Sequence, residues 1–150
     1  MNDSGGPTRV SILGATGSIG SSTLRVLTHN PEQFAVVSLV AQRNVERLAE
    51  IALRTRAEFV AIADERQFAA LKDHLSGSSI EVGAGGEAVL EAASRQADVV
   101  VSAITGYAGL RSTLAAARSG ANLALANKEA MVTAGTMVRA ALAEGGGALI

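Results

Sequence analysis

The sequence predicts an α/β fold in which a doubly wound parallel sheet carries helices on both faces. Short apolar runs alternate with longer segments of helical periodicity along the whole chain, which is typical of consecutive βαβ units. The longer apolar runs lack a two-residue alternation of apolar and polar residues, as expected for strands covered on both faces. A glycine-rich turn joins the first run to the first helical segment.

Six apolar runs are predicted to be strands, and a seventh begins at the end of the chain. The predicted strands are residues 9–13, 34–41, 59–62, 79–82, 97–104 and 122–126. Residues 145–150 read as a glycine turn that runs into the seventh strand. Because right-handed crossovers place helices on both faces, we expect a sheet of the Rossmann type.

A helix is predicted after each strand, with bounds set by capping and helix-ending residues. Asn44 and Asp64 are suitable N-caps, Pro31 ends the first helix, and Gly120 ends the fifth. The predicted helices are residues 18–28, 45–54, 65–75 and 87–95, a fifth that ends near residue 118, and a sixth from residue 127 to about 143.

Composition and charge limit the functions that this chain can have. Its 150 residues suffice for one domain with a core, and 48% hydrophobic residues exclude a disordered chain. A net charge of −1 argues against nucleic acid as a partner. The chain has no cysteine, and its histidines, His29 and His74, lack partner acids at ligand spacing, so we expect no metal site here. Without a signal peptide or membrane-spanning run, we expect a cytoplasmic protein with no membrane partner.

The domain organisation is predicted from the two ends of the chain. Residues 1–8 are polar and are expected to form a disordered tail, whereas residues 9–150 form one domain. Natural domains seldom end two or three residues into a buried strand. We therefore expect that the chain is truncated after Ile150 and lacks further domains.

The turn after the first strand has the pattern of an anion-binding loop. Gly14, Gly17 and Gly20 are spaced by three residues, and glycine lets the backbone approach a ligand closely. The first N–H groups of the following helix add partial positive charge, and the hydroxyls of Thr16 and Ser18 can reach phosphate oxygens. The glycine spacing alone also fits a plain tight turn between a strand and a helix. The loops after the other strands must therefore distinguish an anion-binding site from such a turn.

The loop after the second strand favours NADP over NAD. NAD-binding domains usually have a carboxylate here that binds the ribose hydroxyls, but this chain has Gln42, Arg43 and Asn44. The Arg43 guanidinium can pair with a 2′-phosphate and stack on adenine. The alternative is that Arg43 is a solvated surface side chain.

Two further loops carry candidate ligand contacts. Small residues from Ala103 to Gly109 would let the adenine or nicotinamide half of a dinucleotide lie against the backbone, although they also fit a simple turn. After the sixth strand, Asn127 can cap the next helix and Glu129 can favour its positive end. Lys128 fits neither role, because a cation is unfavourable at a helix N-terminus, and it therefore indicates an anionic ligand.

Four motifs together resemble the 1-deoxy-D-xylulose 5-phosphate reductoisomerase family. They occupy residues 14–20, 29–31, 41–44 and 126–129, in this order. The match covers only the N-terminal NADPH-binding domain of a family whose members are much longer. The resemblance implies an NADPH-dependent oxidoreductase of the non-mevalonate route to isoprenoids. Such an enzyme rearranges and reduces 1-deoxy-D-xylulose 5-phosphate to 2-C-methyl-D-erythritol 4-phosphate.

The resemblance also implies roles for individual residues. It implies cofactor contacts at Gly14, Thr16, Gly17, Ser18, Ile19, Gln42, Arg43, Asn44, Ala103, Asn127 and Glu129, and a substrate contact at Lys128. Residues 16–19 would hold the diphosphate, and Arg43 and Asn44 the 2′-phosphate. Gln42 departs from the glycine that the family often has there, and would contact the cofactor through its backbone.

The rest of the family's machinery would follow Ile150. This includes the acidic ligands of a divalent metal, magnesium or manganese, so no catalytic or metal-binding residue is expected in this fragment. We expect the fragment to bind cofactor at best and not to turn over substrate. We expect the full-length protein to be a homodimer that acts on a phosphosugar.

Two alternatives remain open at this stage. One is another NADP-linked dehydrogenase with a similar glycine loop, such as a semialdehyde dehydrogenase, which would need a catalytic cysteine after Ile150. The other is a dinucleotide-sensing regulatory domain without catalysis, which would need neither Lys128 nor a partner domain. An acidic metal-binding cluster, a nucleophilic cysteine, or neither, beyond Ile150 would distinguish the three.

Overall fold

The computed structural model describes residues 5–126 and 128–150, and within these it does not describe the side chains of Lys128 and Ala130. The strands are β1 (Thr8–Leu13), β2 (Phe34–Ala41), β3 (Phe59–Ile62), β4 (Glu81–Ala84), β5 (Val99–Ser102) and β6 (Asn122–Leu125). The helices are α1 (Ser18–His29), α2 (Val45–Thr55), α3 (Phe68–His74), α4 (Gly86–Ser94), α5 (Gly106–Arg118) and α6 (Lys128–Gly145). A 3-10 turn, Glu65–Gln67, precedes α3.

All six strands are parallel and lie in one sheet with the order β4-β3-β2-β1-β5-β6. The chain extends the sheet in one direction from β1 to β4 and then returns to the other side of β1 with β5. The strand order therefore reverses between β1 and β5. In sheets of this kind, ligands bind beyond the carboxyl ends of the strands at the point of reversal.

The core lies in two apolar layers, one on each face of the sheet. Helices α1 to α3 cover one face with side chains such as Leu24, Leu48 and Leu71. Helices α4 to α6 cover the other face with Val89, Leu114 and Val138. The predicted doubly wound architecture, with helices on both faces, is therefore confirmed.

Besides shifts of one or two residues at the ends of other elements, three predicted elements differ clearly from the structure. Strand β4 lies two residues later than predicted, because Ser78 Oγ donates to the Leu75 carbonyl oxygen at 2.6 Å and so keeps the preceding residues in a turn. The predicted third helix is split by the 3-10 turn, where Asp64 accepts a hydrogen bond from the backbone N–H of Arg66. Strand β5 is shorter than predicted, and the chain leaves the sheet after Ser102.

The beginning of the predicted seventh strand is present at the end of the chain. Leu123 of β6 forms a parallel bridge with Leu149. Its N–H donates to the Ala148 carbonyl oxygen at 2.8 Å, and its carbonyl accepts from the Ile150 N–H at 2.9 Å. Among the described residues, no helix is both long and apolar enough to cross a membrane.

Candidate functional site

The glycine loop between β1 and α1 lies at the point where the strand order reverses. Gly14 has φ +92°, and a Cβ there would lie 2.8 Å from the Ala103 carbonyl oxygen of the loop after β5. At Gly20, a Cβ would lie 2.7 Å from Ala15 Cα, so this glycine lets α1 pack against the loop. Gly14 and Gly20 are therefore required by the fold itself.

Gly17 differs from the other two glycines because the protein does not need it for packing. A Cβ on Gly17 would meet only the Gly14 carbonyl oxygen, at the ordinary contact distance of 3.7 Å. Gly17 is exposed and is the N-cap of α1, and because glycine has no side chain it cannot cap the helix by a side-chain hydrogen bond. The first N–H groups of α1 are thus left for a ligand, and the backbone at Gly17 is open to close approach.

Two clefts flank the glycine loop, and both are lined by Gly14, Gly17, Ala103 and Thr105. The first, which we call the β2-side cleft, has a volume of about 430 Å³ and extends past Gln42 towards α4 and α5. The second, the β6-side cleft, has a volume of about 500 Å³ and extends to Ala126 and Glu129. Both volumes lie within the range of small-molecule sites.

The structure brings most of the predicted cofactor residues to these clefts. Thr16 and Gln42 line the β2-side cleft, and Ser18, Ile19 and Glu129 line the β6-side cleft. Asn127 and the side chain of Lys128 lie outside the described part of the chain, so their predicted contacts stay predictions.

Arg43 and Asn44 follow Gln42 at the start of α2 and do not line either cleft. Both are exposed, and Asn44 Oδ1 caps the helix by accepting a hydrogen bond from the Arg47 N–H at 3.2 Å. The predicted N-cap is therefore confirmed, and the Asn44 amide nitrogen can still donate. Arg43 therefore lies one residue along the chain from Gln42, which lines the β2-side cleft.

Gln42 adopts its position without backbone strain. Among the described residues other than glycine, only Arg56 has a positive φ, so the backbone at Gln42 does not require glycine. Its carbonyl oxygen accepts a hydrogen bond from the Asp64 N–H at 2.9 Å. Gln42 is thus compatible with the loop geometry, and it lines the β2-side cleft.

Sequence reasoning missed part of the β2-side cleft. Val89 and Leu90 of α4 form an apolar wall, and Arg111 of α5 adds a cation. No hydrogen bond or ion pair joins the Arg111 side chain to any residue that the structure describes. One signal for it was present: Thr105, Ala108 and Arg111 recur at a spacing of three residues, which places them on one face of a helix. The contribution of α4 had no comparable signal, because it depends on the topology.

The described residues hold no cluster of three or more acidic, histidine or cysteine side chains that could bind a metal ion. The uncapped N-terminus of α1 and the apolar residues of the clefts suit an extended anionic ligand with an apolar end. Its negatively charged middle would lie at the N-terminus of α1, and its ends would lie in the two clefts.

Comparison with known proteins identifies the family. The family model described as 1-deoxy-D-xylulose 5-phosphate reductoisomerase matches residues 10–135. A reductoisomerase from Rhizobium meliloti (strain 1021) is 51% identical over 144 residues, which are 95% of this chain and 37% of the relative. One from Rhodospirillum centenum is 50% identical over 141 residues, covering 94% of this chain and 35% of the relative. The chain thus spans somewhat more than a third of the length of these relatives.

Solved structures agree with the sequence match. The Zymomonas mobilis reductoisomerase in complex with NADPH superposes with a TM-score of 0.93 at 48% identity, over 96% of this chain and 38% of that one. A reductoisomerase bound to NADPH, fosmidomycin and magnesium superposes with a TM-score of 0.89 at 35% identity, over 95% of this chain and 35% of that one. The family match covers most of the sheet together with the glycine loop, so this chain belongs to the 1-deoxy-D-xylulose 5-phosphate reductoisomerase family.

Proposed function

We propose that this chain is the NADPH-binding part of a 1-deoxy-D-xylulose 5-phosphate reductoisomerase. One observation carries the proposal: the open backbone at Gly17 lies between two clefts at the reversal point of the sheet. The relatives span a longer chain, and two solved relatives hold NADPH. When bound, NADPH supplies the hydride for the reduction step.

The cofactor is assigned to the clefts by charge and polarity. The diphosphate would lie against residues 16–19, where the N–H groups of α1 are open. The adenosine would enter the β2-side cleft, whose apolar wall includes Leu90 and Ile104. Arg43 and Asn44 at the start of α2 would then bind its 2′-phosphate.

The nicotinamide would lie in the β6-side cleft, near Ile19, Ala103 and Glu129. This cleft opens towards the start of α6, where we place the predicted contacts of Asn127 with the cofactor and Lys128 with the substrate. A phosphosugar would bind beside the nicotinamide, and fosmidomycin occupies a solved relative together with NADPH and magnesium. The described residues include no group of three or more side chains that could bind a metal ion. We assign the metal to the longer protein, by which we mean a chain of the length of the relatives that contains this one.

We also propose that residues 9–150 form one folded unit and that the longer protein is a cytoplasmic homodimer. The continuous sheet and its two apolar layers support the first part. Analytical ultracentrifugation of the longer protein tests the second part, and a monomer at micromolar concentration would contradict it.

Calorimetric titration of this chain with NADPH and with NADH tests the cofactor assignment. We expect a preference for NADPH that is lost in Arg43→Ala, whose NADPH affinity should fall about ten- to a hundredfold because a charge-assisted phosphate contact is removed. Arg54→Ala is the matched control, since it removes an arginine from the other end of α2.

Three outcomes would contradict parts of this assignment. Equal affinity for NADH and NADPH in the wild-type chain would contradict the role of Arg43. Equal losses in the Arg43 and Arg54 variants would show a general charge effect instead of a specific contact. A wild-type chain that binds neither nucleotide would contradict the assignment of the site to this chain alone.

A further inference from the structure

A carboxylate lies directly beside the proposed 2′-phosphate site. The Ala63 N–H donates to the Ala41 carbonyl oxygen at 2.9 Å, and the Asp64 N–H donates to the Gln42 carbonyl oxygen at 2.9 Å. These bonds continue the β2–β3 pairing beyond the end of β3, and the second also lies beyond the end of β2. Asp64 is therefore fixed next to Gln42, one residue away from Arg43.

Arg66 covers this carboxylate with three donors. Its Nε donates to Asp64 Oδ1 at 3.0 Å, its Nη2 donates to Oδ2 at 3.0 Å, and its backbone N–H donates to Oδ1 at 3.1 Å. The Asp64 side chain is only 13% exposed, whereas the Arg66 side chain is 83% exposed. The hydrogen bond from the Arg66 side chain lowers the pKa of Asp64, and the positive charge of Arg43 contributes to the same shift. Asp64 is consequently ionised at neutral pH.

An ionised carboxylate at this position is unfavourable for a phosphate unless its charge is compensated. The charge of Arg43 acts on Asp64, so a 2′-phosphate bound at Arg43 would also be exposed to the Asp64 charge. Salt at physiological ionic strength would weaken this repulsion without removing it, because screening extends over about 8 Å. The bidentate pair with Arg66 compensates the charge locally. The ribose hydroxyls of NADH carry no charge, so the binding of NADH would be much less sensitive to the charge of Asp64.

We propose that Arg66 is a specificity-determining residue, which permits NADPH binding by neutralising Asp64 beside the Arg43 site. The inference rests on the proposed cofactor site. It adds the loop after β3 to the loop after β2 as a second determinant of cofactor choice. Arg66 acts through Asp64 and is not assigned a contact with the cofactor.

Titration of Arg66→Ala, Asp64→Asn and the double variant with NADPH and NADH tests the inference. In Arg66→Ala, NADPH affinity should fall about three- to tenfold, because Asp64 is left uncompensated near the phosphate. NADH affinity should stay within about twofold of wild type, since this nucleotide has no 2′-phosphate. The diagnostic result is the double variant, in which removal of both charges should restore NADPH affinity to near the wild-type value. The loss in Arg66→Ala should also shrink as salt is raised.

Arg118→Ala is the control, since it also removes an arginine that forms an ion pair with a carboxylate, Glu144 at 3.4 Å, but at the far end of α5. It should change neither affinity. Unchanged NADPH binding in Arg66→Ala, equal losses for both nucleotides, or a double variant that stays as weak as Arg66→Ala would overturn the inference while leaving the proposed site intact. A wild-type chain that fails to bind NADPH would overturn both. Melting temperatures without nucleotide show whether each variant is folded.

Discussion

Gly17→Ala should separate cofactor binding from folding. A Cβ at Gly17 would lie 3.7 Å from the Gly14 carbonyl oxygen, which is an ordinary van der Waals contact. The backbone angles at Gly17, φ −80° and ψ 178°, are allowed for alanine. Alanine is a poorer N-cap than glycine, so the free energy of unfolding should fall by about 0.5–1 kcal/mol. At this chain length, that loss corresponds to about 1–4 °C in melting temperature.

The flanking glycines provide the comparison, because the fold requires both. Gly14→Ala would force φ +92° on alanine and place its Cβ 2.8 Å from the Ala103 carbonyl oxygen. Gly20→Ala would place a Cβ 2.7 Å from Ala15 Cα. Backbone strain and overpacking each cost about 1–3 kcal/mol, so we expect melting temperatures about 3–10 °C below wild type.

Thermal unfolding by circular dichroism and calorimetric titration with NADPH measure the two effects separately. Gly17→Ala should melt within a few degrees of wild type but bind NADPH about tenfold more weakly or worse, because the methyl group occupies space needed by the diphosphate. Wild-type affinity in Gly17→Ala would refute the reasoning, since it would show that the ligand does not approach this backbone. A Gly17→Ala variant that melts below Gly14→Ala would refute the structural assignment of the three glycines.

Four further predictions follow from the site and its neighbours. Arg111→Ala should weaken NADPH and NADH binding equally, by about three- to tenfold in titrations, if its guanidinium packs on the adenine they share. Asn44→Ala should lower the free energy of unfolding in urea by about 1 kcal/mol, because the Arg47 N–H loses its cap. The depressed pKa of Asp64 contributes stability above its ordinary value of 3.8, which is lost as the pH falls through the lowered pKa. In acid-unfolding experiments, the Asp64→Asn variant should therefore lose less stability than the wild-type chain as the pH falls through this range. The chain alone should form no product from 1-deoxy-D-xylulose 5-phosphate in an NADPH-oxidation assay, and measurable turnover would contradict the assignment of catalysis to the longer protein.

Much of the fold could be predicted because local signals and tertiary packing agree. Strand β3, Phe59–Ile62, has the predicted bounds, since an apolar run ends at the polar Asp64 that caps the next turn. Strand β4 was displaced by two residues, because the side chain of Ser78 competes with the strand for backbone hydrogen bonds. Such competition is local in the chain but depends on geometry that the residue types do not specify.

The site was predictable where a loop directly follows a strand, and less so elsewhere. The glycine loop and Gln42 could be predicted as parts of the site because each directly follows a strand, and the carboxyl ends of parallel strands lie at one edge of the sheet. Leu90 reaches the same cleft from the middle of α4, which no spacing in the sequence relates to the glycine loop. Its place depends on the crossover that carries the chain from β4 past β1 to β5.

In the proposed site, cofactor choice depends on two adjacent loops together. An NAD-binding domain usually places its carboxylate at the end of β2, where this chain has Arg43. Here the neighbouring carboxylate, Asp64, lies one strand farther along the sheet, and Arg66 holds it by two side-chain hydrogen bonds of 3.0 Å. Its distance from the proposed phosphate site is set by the hydrogen bond between the Asp64 N–H and the Gln42 carbonyl oxygen, which is a property of the β2–β3 register. The sign of the charge at the end of β2 is therefore not sufficient to predict specificity, because the sheet brings a second charged group beside it.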